Sequence, residues 1–257
     1  MLGLLLAFQS RLEPIGDLVN NLIAWILSIG ICLSARVVAQ EQVVSMDSEP
    51  HYSRVFSNEY CRAYIVSLGR LEETRPVVHE HDWVRMTLNG TVEQAWGGTL
   101  YSSAAHEDPE GYVISFFFPV SRVTLRNPRN EPYRAMIVEI MQGDESRNRL
   151  RDPSLDPFAQ KLGPGVDPHV TYVTTLTKTS VDIANVQLLG GDSKELHSAG
   201  MGALLVAMTD VRLLVQHDGE SKELRLSKGD VQWFPAAALS FKNQDKELAR
   251  FVVLEMK

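Results

Sequence analysis

Cysteine is nearly absent. Cys32 and Cys61 are the only two in 257 residues, which excludes a disulfide-stapled scaffold and leaves too few thiolates for a zinc ribbon. There is also no Lys/Arg-rich run to follow a phosphate backbone. With 25 Lys+Arg against 32 Asp+Glu and a formal net charge of -7, nucleic acid is a poor partner. The chain has no G-x-x-x-x-G-K-[ST] phosphate loop, no G-x-S-x-G elbow and no H-E-x-x-H helix. Gly200-Met201-Gly202 lacks a third glycine and any βαβ context, so dinucleotide binding has no support. Long amphipathic helical periods are missing as well. At 44% hydrophobic and 22% charged residues, the composition is that of an ordinary soluble chain able to bury one large core or two domains.

The apolar run Leu22 to Leu33 has the length of a signal-peptide h-region and is too short for a free-standing membrane span. Val37-Val38-Ala39 puts small or β-branched residues at the -3 and -1 positions of a cleavage before Gln40. Residues 1–39 are therefore expected to be a leader or signal peptide and the mature protein to be secreted or periplasmic, with no stable membrane span after cleavage. Against this, Met1 to Asn21 carries only Arg11 as a positive charge, a poor n-region, and the alternative is an uncleaved amphipathic or anchor helix.

Beyond residue 40 the texture is strand-like. Arg62 to Leu68, Val77 to Gly90 and Val113 to Pro119 show β-branched and aromatic runs stopped by turn residues. Gln94 to Tyr112 reads as a long loop with one short strand. Residues 143–168, with Asp152-Pro153, Asp156-Pro157 and Gly163-Pro164-Gly165, read as a proline-punctuated linker. The linker separates residues 45–142 from residues 169–257. The two segments repeat one another. Pro119, Asn127, Glu131, Arg134 and Glu139 recur at the same spacings as Pro235, Asn243, Glu247, Arg250 and Glu255. Upstream, Val66 and Val186 stand 120 apart, and Met86-Thr87-Leu88-Asn89 is matched with Met208-Thr209-Asp210. Arg134, Arg250, Glu139 and Glu255, recurring on a duplicated strand, are read as framework ion pairs.

Val77 to Gly90 places His79 and His81 at i and i+2. On one strand that puts both imidazoles on one face, with Arg85 in the same parity and Glu80 and Asp82 on the other face. This stretch resembles the first motif of the cupin family, which runs H-x-H, three or four residues, E, six residues, G. Gly229 to Asn243 resembles the second, G, five residues, P-x-G, two residues, H, three residues, N. With the repeat, the resemblance covers residues 50–142 and 170–257. It implies an all-β chain of two tandem cupin barrels, antiparallel jelly rolls paired within one chain. In family members of the metal-dependent kind it also implies a divalent Fe, Mn, Zn, Ni or Cu held by three histidines and a glutamate. Here the glutamate position falls at Arg85 or Met86, or at Trp83 when counted back from Gly90. The third histidine position is Val123 in the first half and Leu239 in the second. Ala199 and Met201 stand opposite His79 and His81 at the repeat spacing; a two-residue shift puts His197 opposite His79 and Ala199 opposite His81.

Three readings of His79 and His81 stand: weak metal ligands in the N-terminal barrel, a polar patch for a small ligand, or structural histidines. Arg85 either contacts a carboxylate in the barrel mouth or is solvated. Trp83 and Trp233 read as core or rim aromatics, and His106, His169 and His217 as exposed. Asn89-Gly90-Thr91 forms a glycosylation sequon but reads first as a hairpin turn. The expected function is an exported bicupin-like protein that binds a small molecule or has a structural role, with degenerate metal sites. The alternative is a metal-dependent oxygenase or isomerase of a small polar substrate, working in the N-terminal barrel.

Overall fold

The computed structural model describes residues 42–96, 99–103, 113–117, 119–141, 161–162, 169–196, 200–235 and 238–257. The leader, most of the linker, His106, His197, Ala199 and Ala237 lie outside them. The first half forms β1 (Val44–Ser45), β2 (Tyr52–Ser57), β3 (Cys61–Leu68), β4 (Val77–His79), β5 (Asp82–Asn89) and β6 (Val92–Trp96). It continues with β7 (Thr99–Ser103), β8 (Ile114–Phe117), β9 (Val120–Arg126), β10 (Tyr133–Ile140) and β11 (Lys161–Leu162). The second half forms β12 (Tyr172–Thr177), β13 (Val181–Leu188), β14 (Ser193–Leu196), β15 (Gly202–Ala207) and β16 (Val211–His217). It ends with β17 (Glu220–Leu226), β18 (Val231–Pro235), β19 (Leu239–Asn243) and β20 (Ala249–Met256). Among the described residues the remaining regular element is one 3-10 turn, Met46–Ser48, and no helix is long and apolar enough to cross a membrane.

The strand orders show the duplication directly. The first half has sheets ordered β1-β4-β9-β6-β7 and β11-β8-β5-β10-β3-β2; the second has β14-β19-β16-β17 and β12-β13-β20-β15-β18. Without β1 and β11, each second-half sheet repeats a first-half sheet strand for strand. Register repeats as well: Arg134 pairs with Ser67 as Arg250 pairs with Gln187, so β3 maps to β13 at an offset of 120 and β10 to β20 at 116. Met86 lies opposite Met136 and Val206 opposite Val252. The structural counterpart of Met86 is therefore Val206 rather than Met208, because sheet register and not local sequence likeness fixes the correspondence.

The asparagines of the repeat hold the same corner in each half. Asn127 Nδ2 donates to the carbonyls of Gly69 (2.9 Å) and Glu131 (2.8 Å), and Asn243 Nδ2 to those of Leu188 (3.1 Å) and Glu247 (2.7 Å). Each side-chain oxygen accepts from the backbone N–H two residues on, that of Arg129 or Asp245. The charged repeat residues share no such role. Arg134 is exposed, Arg250 is buried and donates to Gln187 Oε1 at 2.9 Å, Glu139 is buried inside the first half, and Glu255 accepts from Gly200 N at 3.0 Å. Equal sequence positions here meet unlike surroundings.

Three hydrophobic cores result. One fills the space between the sheets of the first half, with Tyr64, Val77, Trp83, Phe117, Leu125 and Ile137. Another fills the second half, with Val186, Leu205, Leu213, Phe241 and Phe251. The third joins residues of both halves, Val84, Met86, Phe116 and Met136 with Ile183, Leu204, Val252 and Leu254. The sheets bearing β10, β15 and β20 are thus covered on both faces. For this reason Gly202–Ala207 is buried at every position and shows no alternation, whereas Val211–His217 alternates as a strand with one wet face does. At the seam, Trp233 stacks on Tyr60 (5.6 Å between centroids) and Phe56 (5.9 Å), and Ser180 Oγ donates to Asp82 Oδ2 at 2.8 Å.

Two local expectations change. The stretch from Gln94, read as a long loop with one short strand, contains β7 as that strand and also the end of β6, and the two pair as a hairpin. The linker contributes Lys161–Leu162 as an edge strand on β8. Gly90, at φ +78°, makes the turn out of β5, and Asn89 Nδ2 donates to Pro132 O at 2.8 Å.

Candidate functional site: the interior of the first barrel

The histidine stretch is not one strand. β4 ends at His79, the chain turns through Glu80 and His81, and β5 starts at Asp82 in the opposite sheet. The shared face expected for His79 and His81 is therefore lost. His79 is fully buried, while His81 is partly exposed in the connection. The break follows from architecture, since a two-sheet barrel must cross from one sheet to the other here. His79 and Arg85 nevertheless meet the same interior by another route. Trp83 and Arg85 alternate inward on β5, and the Trp83 ring stacks on the His79 ring at 4.0 Å and 12°.

The stack continues to Phe117, 4.0 Å from Trp83, its direct neighbour on β8. Arg85 is buried, not solvated, at 3% exposure. Its guanidinium lies 5.2 Å from the Phe117 centroid, and Nη1 donates to Gln94 Oε1 at 2.5 Å, reaching across to β6 of the facing sheet. Glu139, opposite Trp83 on β10, brings Oε1 to 3.9 Å from His79 Nδ1. Tyr52 and Tyr133 close the group, both within the first-half core.

Burial sets the electrostatics. It lowers the His79 imidazole to about 3, assisted by the charge of Arg85, so His79 is neutral at pH 7. Burial also pushes the Glu139 carboxyl up to about 7, with Arg62 pulling down and Glu80 and Asp47 pushing up. The phenols of Tyr52 and Tyr133 are raised by burial and eased by Arg85.

Several of these groups meet no hydrogen-bond partner. His79 Nδ1 and Nε2, Gln94 Nε2, Tyr52 Oη and Tyr133 Oη are buried without one, although Thr87 lies beside Tyr133 and acts on its phenol. Buried polar atoms ordinarily find partners, and leaving one unmade costs roughly 1–3 kcal/mol. Five such atoms lie around one arginine.

The second barrel shows what the same scaffold does without this requirement. By register, Arg85 corresponds to Leu205, Trp83 to Ala203 and Thr87 to Ala207. Gln94, opposite Leu125, corresponds to Val215, opposite Phe241. Tyr52 corresponds to Val173, and Tyr133 to Ala249. The fold thus accepts aliphatic residues at each of these positions.

The donor set does not fit a divalent metal. Among the described residues no group of three or more His, Cys, Asp or Glu is placed to hold one. At the third-histidine position, Val123 is fully buried in the first core and Leu239 in the second. Among the described residues His79 and Glu139 converge as a pair. Of the other histidines, His169 is exposed, and His217 is partly buried with Nε2 3.1 Å from Pro235 O. Trp83 is core and Trp233 lies at the seam. The sequence reading passed over Gln94, Tyr52 and Tyr133 and took Glu139 for a framework residue; comparing the two repeat units position by position is the signal that finds the first three.

Two sandwiches of antiparallel strands with the same interleaved order, fused in tandem, define a double jelly roll. Known structures of this form include YhaK from Escherichia coli (15% identity, 81% of this chain and 92% of that one, TM-score 0.56). AerE from Microcystis aeruginosa is similar (13%, 81% and 98%, 0.56), as is a point mutant of the oxalate decarboxylase OxdC from Bacillus subtilis (12%, 78% and 70%, 0.56). The fold is the cupin fold in its two-barrel form. No protein-family model matches the chain, and no curated protein matches it in sequence.

Proposed function

We propose that this protein is a small-molecule-binding bicupin in which the first barrel receives the ligand and the second, packed against it, is a scaffold. The observation that carries the reading is the contrast between the barrels: one interior keeps Arg85, Gln94, His79, Tyr52 and Tyr133 with five unpartnered polar atoms, and the other fills the matching described positions with aliphatic side chains. Fold alone does not assign chemistry; the asymmetry of the interiors supports the binding reading. A metal-dependent oxygenase or isomerase is the weaker reading, since His79 and Glu139, 3.9 Å apart, are too few donors among the described residues to hold a metal.

We also propose export, on the strength of the apolar run Leu22 to Leu33 and the small residues before Gln40. Mass spectrometry of the mature N-terminus from a secreting host tests it, with Gln40 expected and an intact Met1 contradicting it.

The binding reading is tested by melting the purified chain against a library of small polar molecules spanning all charge classes. At least one compound is expected to raise the melting temperature in proportion to its saturation, with the increase lost in Arg85→Leu/Gln94→Val. A library without any stabilising compound contradicts the reading.

A further inference from the structure

We propose that the ligand of the first barrel is a small organic carboxylate, bound through hydrogens donated by Gln94, Tyr52, Tyr133 and His79 beside the charge of Arg85. The inference rests on the binding reading above and specifies its chemistry.

The free hydrogen-bonding capacity of the interior is one-sided. Gln94 Oε1 is engaged by Arg85 Nη1, which fixes the orientation of the amide and leaves its NH2 end, with two hydrogens, as the unpartnered atom. Tyr52 and Tyr133 each offer one O–H. Neutral His79 offers one N–H and, on its other nitrogen, one acceptor. The hydrogens to be satisfied outnumber the obligate acceptors, so the complement must be rich in lone pairs. A carboxylate, which only accepts and carries about four lone-pair sites, meets that demand.

Charge points the same way. Arg85 acts on His79, Tyr52 and Tyr133 alike and at Tyr52 stands ahead of the opposing Glu49 and Glu139; with the Glu139 carboxyl raised to about 7 and so uncharged below that pH, the guanidinium favours an anion beside it and opposes an ammonium group. An amine would also bring further donors to a place already rich in them. A neutral alcohol brings a donor with each acceptor and leaves part of the surplus unmet.

The stacked rings of Trp83 and Phe117 distinguish an organic acid from an inorganic anion. Both are fully buried and give the interior an apolar wall suited to a carbon skeleton and of no use to phosphate.

The test uses the full chain and matched probes: propionate and benzoate against 1-propanol, benzamide and propylamine, with inorganic phosphate and sulfate as the other anion source. Affinity is read by calorimetry and by thermal shift. The carboxylates are expected to bind at least about tenfold more tightly than their neutral partners, which corresponds to one charge-assisted contact. In Tyr52→Phe/Tyr133→Phe the affinity for carboxylates is expected to fall by about tenfold or more, since two donors are lost. The melting temperature of the ligand-free double variant is expected to fall little, because the Tyr52 hydroxyl has no partner and at Tyr133 only the Thr87 contact is lost. Equal binding of a carboxylate and its neutral partner, preference for the amine, or binding of phosphate and sulfate alone would overturn the inference while leaving interior binding intact. Failure of every probe and of the wider library overturns both.

Discussion

Gln94 and Val215 occupy one position in two copies of the same barrel. Gln94 stands opposite Leu125 and Val215 opposite Phe241, yet the first is a buried amide with an unpartnered nitrogen and the second a buried aliphatic in a continuous apolar core. A duplicated scaffold thus supplies its own control for which interior residues the fold requires.

That control predicts a double-mutant cycle. Gln94→Val alone removes the acceptor of a buried guanidinium bond and is expected to cost about 1.5–3 kcal/mol. Arg85→Leu/Gln94→Val, which reproduces the second barrel's pair, is expected to restore stability to wild-type level or above, as replacement of a buried polar pair by well-packed apolar residues often does. Urea unfolding of the single and double variants measures the coupling. A double variant less stable than Gln94→Val would show that the pair belongs to the framework.

Asn127 and Asn243 are the converse case, alike in sequence and in bonding. Each ties three backbone groups at a buried corner, so Asn127→Ala and Asn243→Ala should each cost about 2–3 kcal/mol by leaving buried backbone groups unpaired. Chemical denaturation should give similar losses in the two halves. A loss confined to one of them would mean that the duplication does not extend to energetics.

Gly202 is expected to tolerate no side chain. Its φ is +148°, and a Cβ would come within 2.3 Å of Trp233 Cζ2, in the ring that stacks on Tyr60 and Phe56 at the seam. Gly202→Ala should displace that ring and cost at least about 1–3 kcal/mol from overpacking. Near-ultraviolet circular dichroism would report the lost stack, and an unchanged spectrum with unchanged melting temperature would refute the assignment.

His79 and Glu139 titrate in opposite senses. The folded chain binds a proton on Glu139 up to about 7, against an ordinary 4.5, and none on His79 above about 3, against an ordinary 6.5. Between 4.5 and 6.5 the folded state holds one proton on Glu139 and the unfolded state one on the imidazole, so their contributions to the slope of stability with pH cancel. Above 6.5 Glu139 alone lowers stability as pH rises to about 7; below 4.5 His79 alone lowers stability as pH falls to about 3. Glu139→Gln removes the first contribution. The variant should therefore gain on wild type as pH rises from 4.5 to 7, by about 3 kcal/mol at full extent. Unfolding free energies at intervals across that range decide it, and a constant difference would contradict the assignment.

Architecture was legible in the sequence because duplication leaves matched spacings. The series from Pro119 and Pro235 to Glu139 and Glu255 already contained the 116-residue offset that relates β10 to β20. The site was less legible. Parity carries His79 to His81 only along an unbroken strand, and nothing local in V-V-H-E-H-D-W shows that the chain crosses between sheets at Glu80. Arg85 looked solvated because its buried acceptor, Gln94, lies on another sheet, within a stretch read as loop. Glu139 looked structural because Glu255 recurs, although only one of the two is enclosed among polar groups. Contacts between sheets leave no periodic trace; the comparison of equivalent positions is what recovers them.

The most direct test of the central claim, that the first barrel is a polar ligand site and not a metal centre, is the metal content of the purified chain. Fe, Mn, Ni, Cu and Zn should be measured on protein without a histidine tag, for wild type, His79→Ala and His81→Ala. The account predicts metal far below one equivalent per chain, unchanged by either substitution. Near-stoichiometric metal in wild type that both substitutions abolish would contradict it and place metal chemistry in the first barrel.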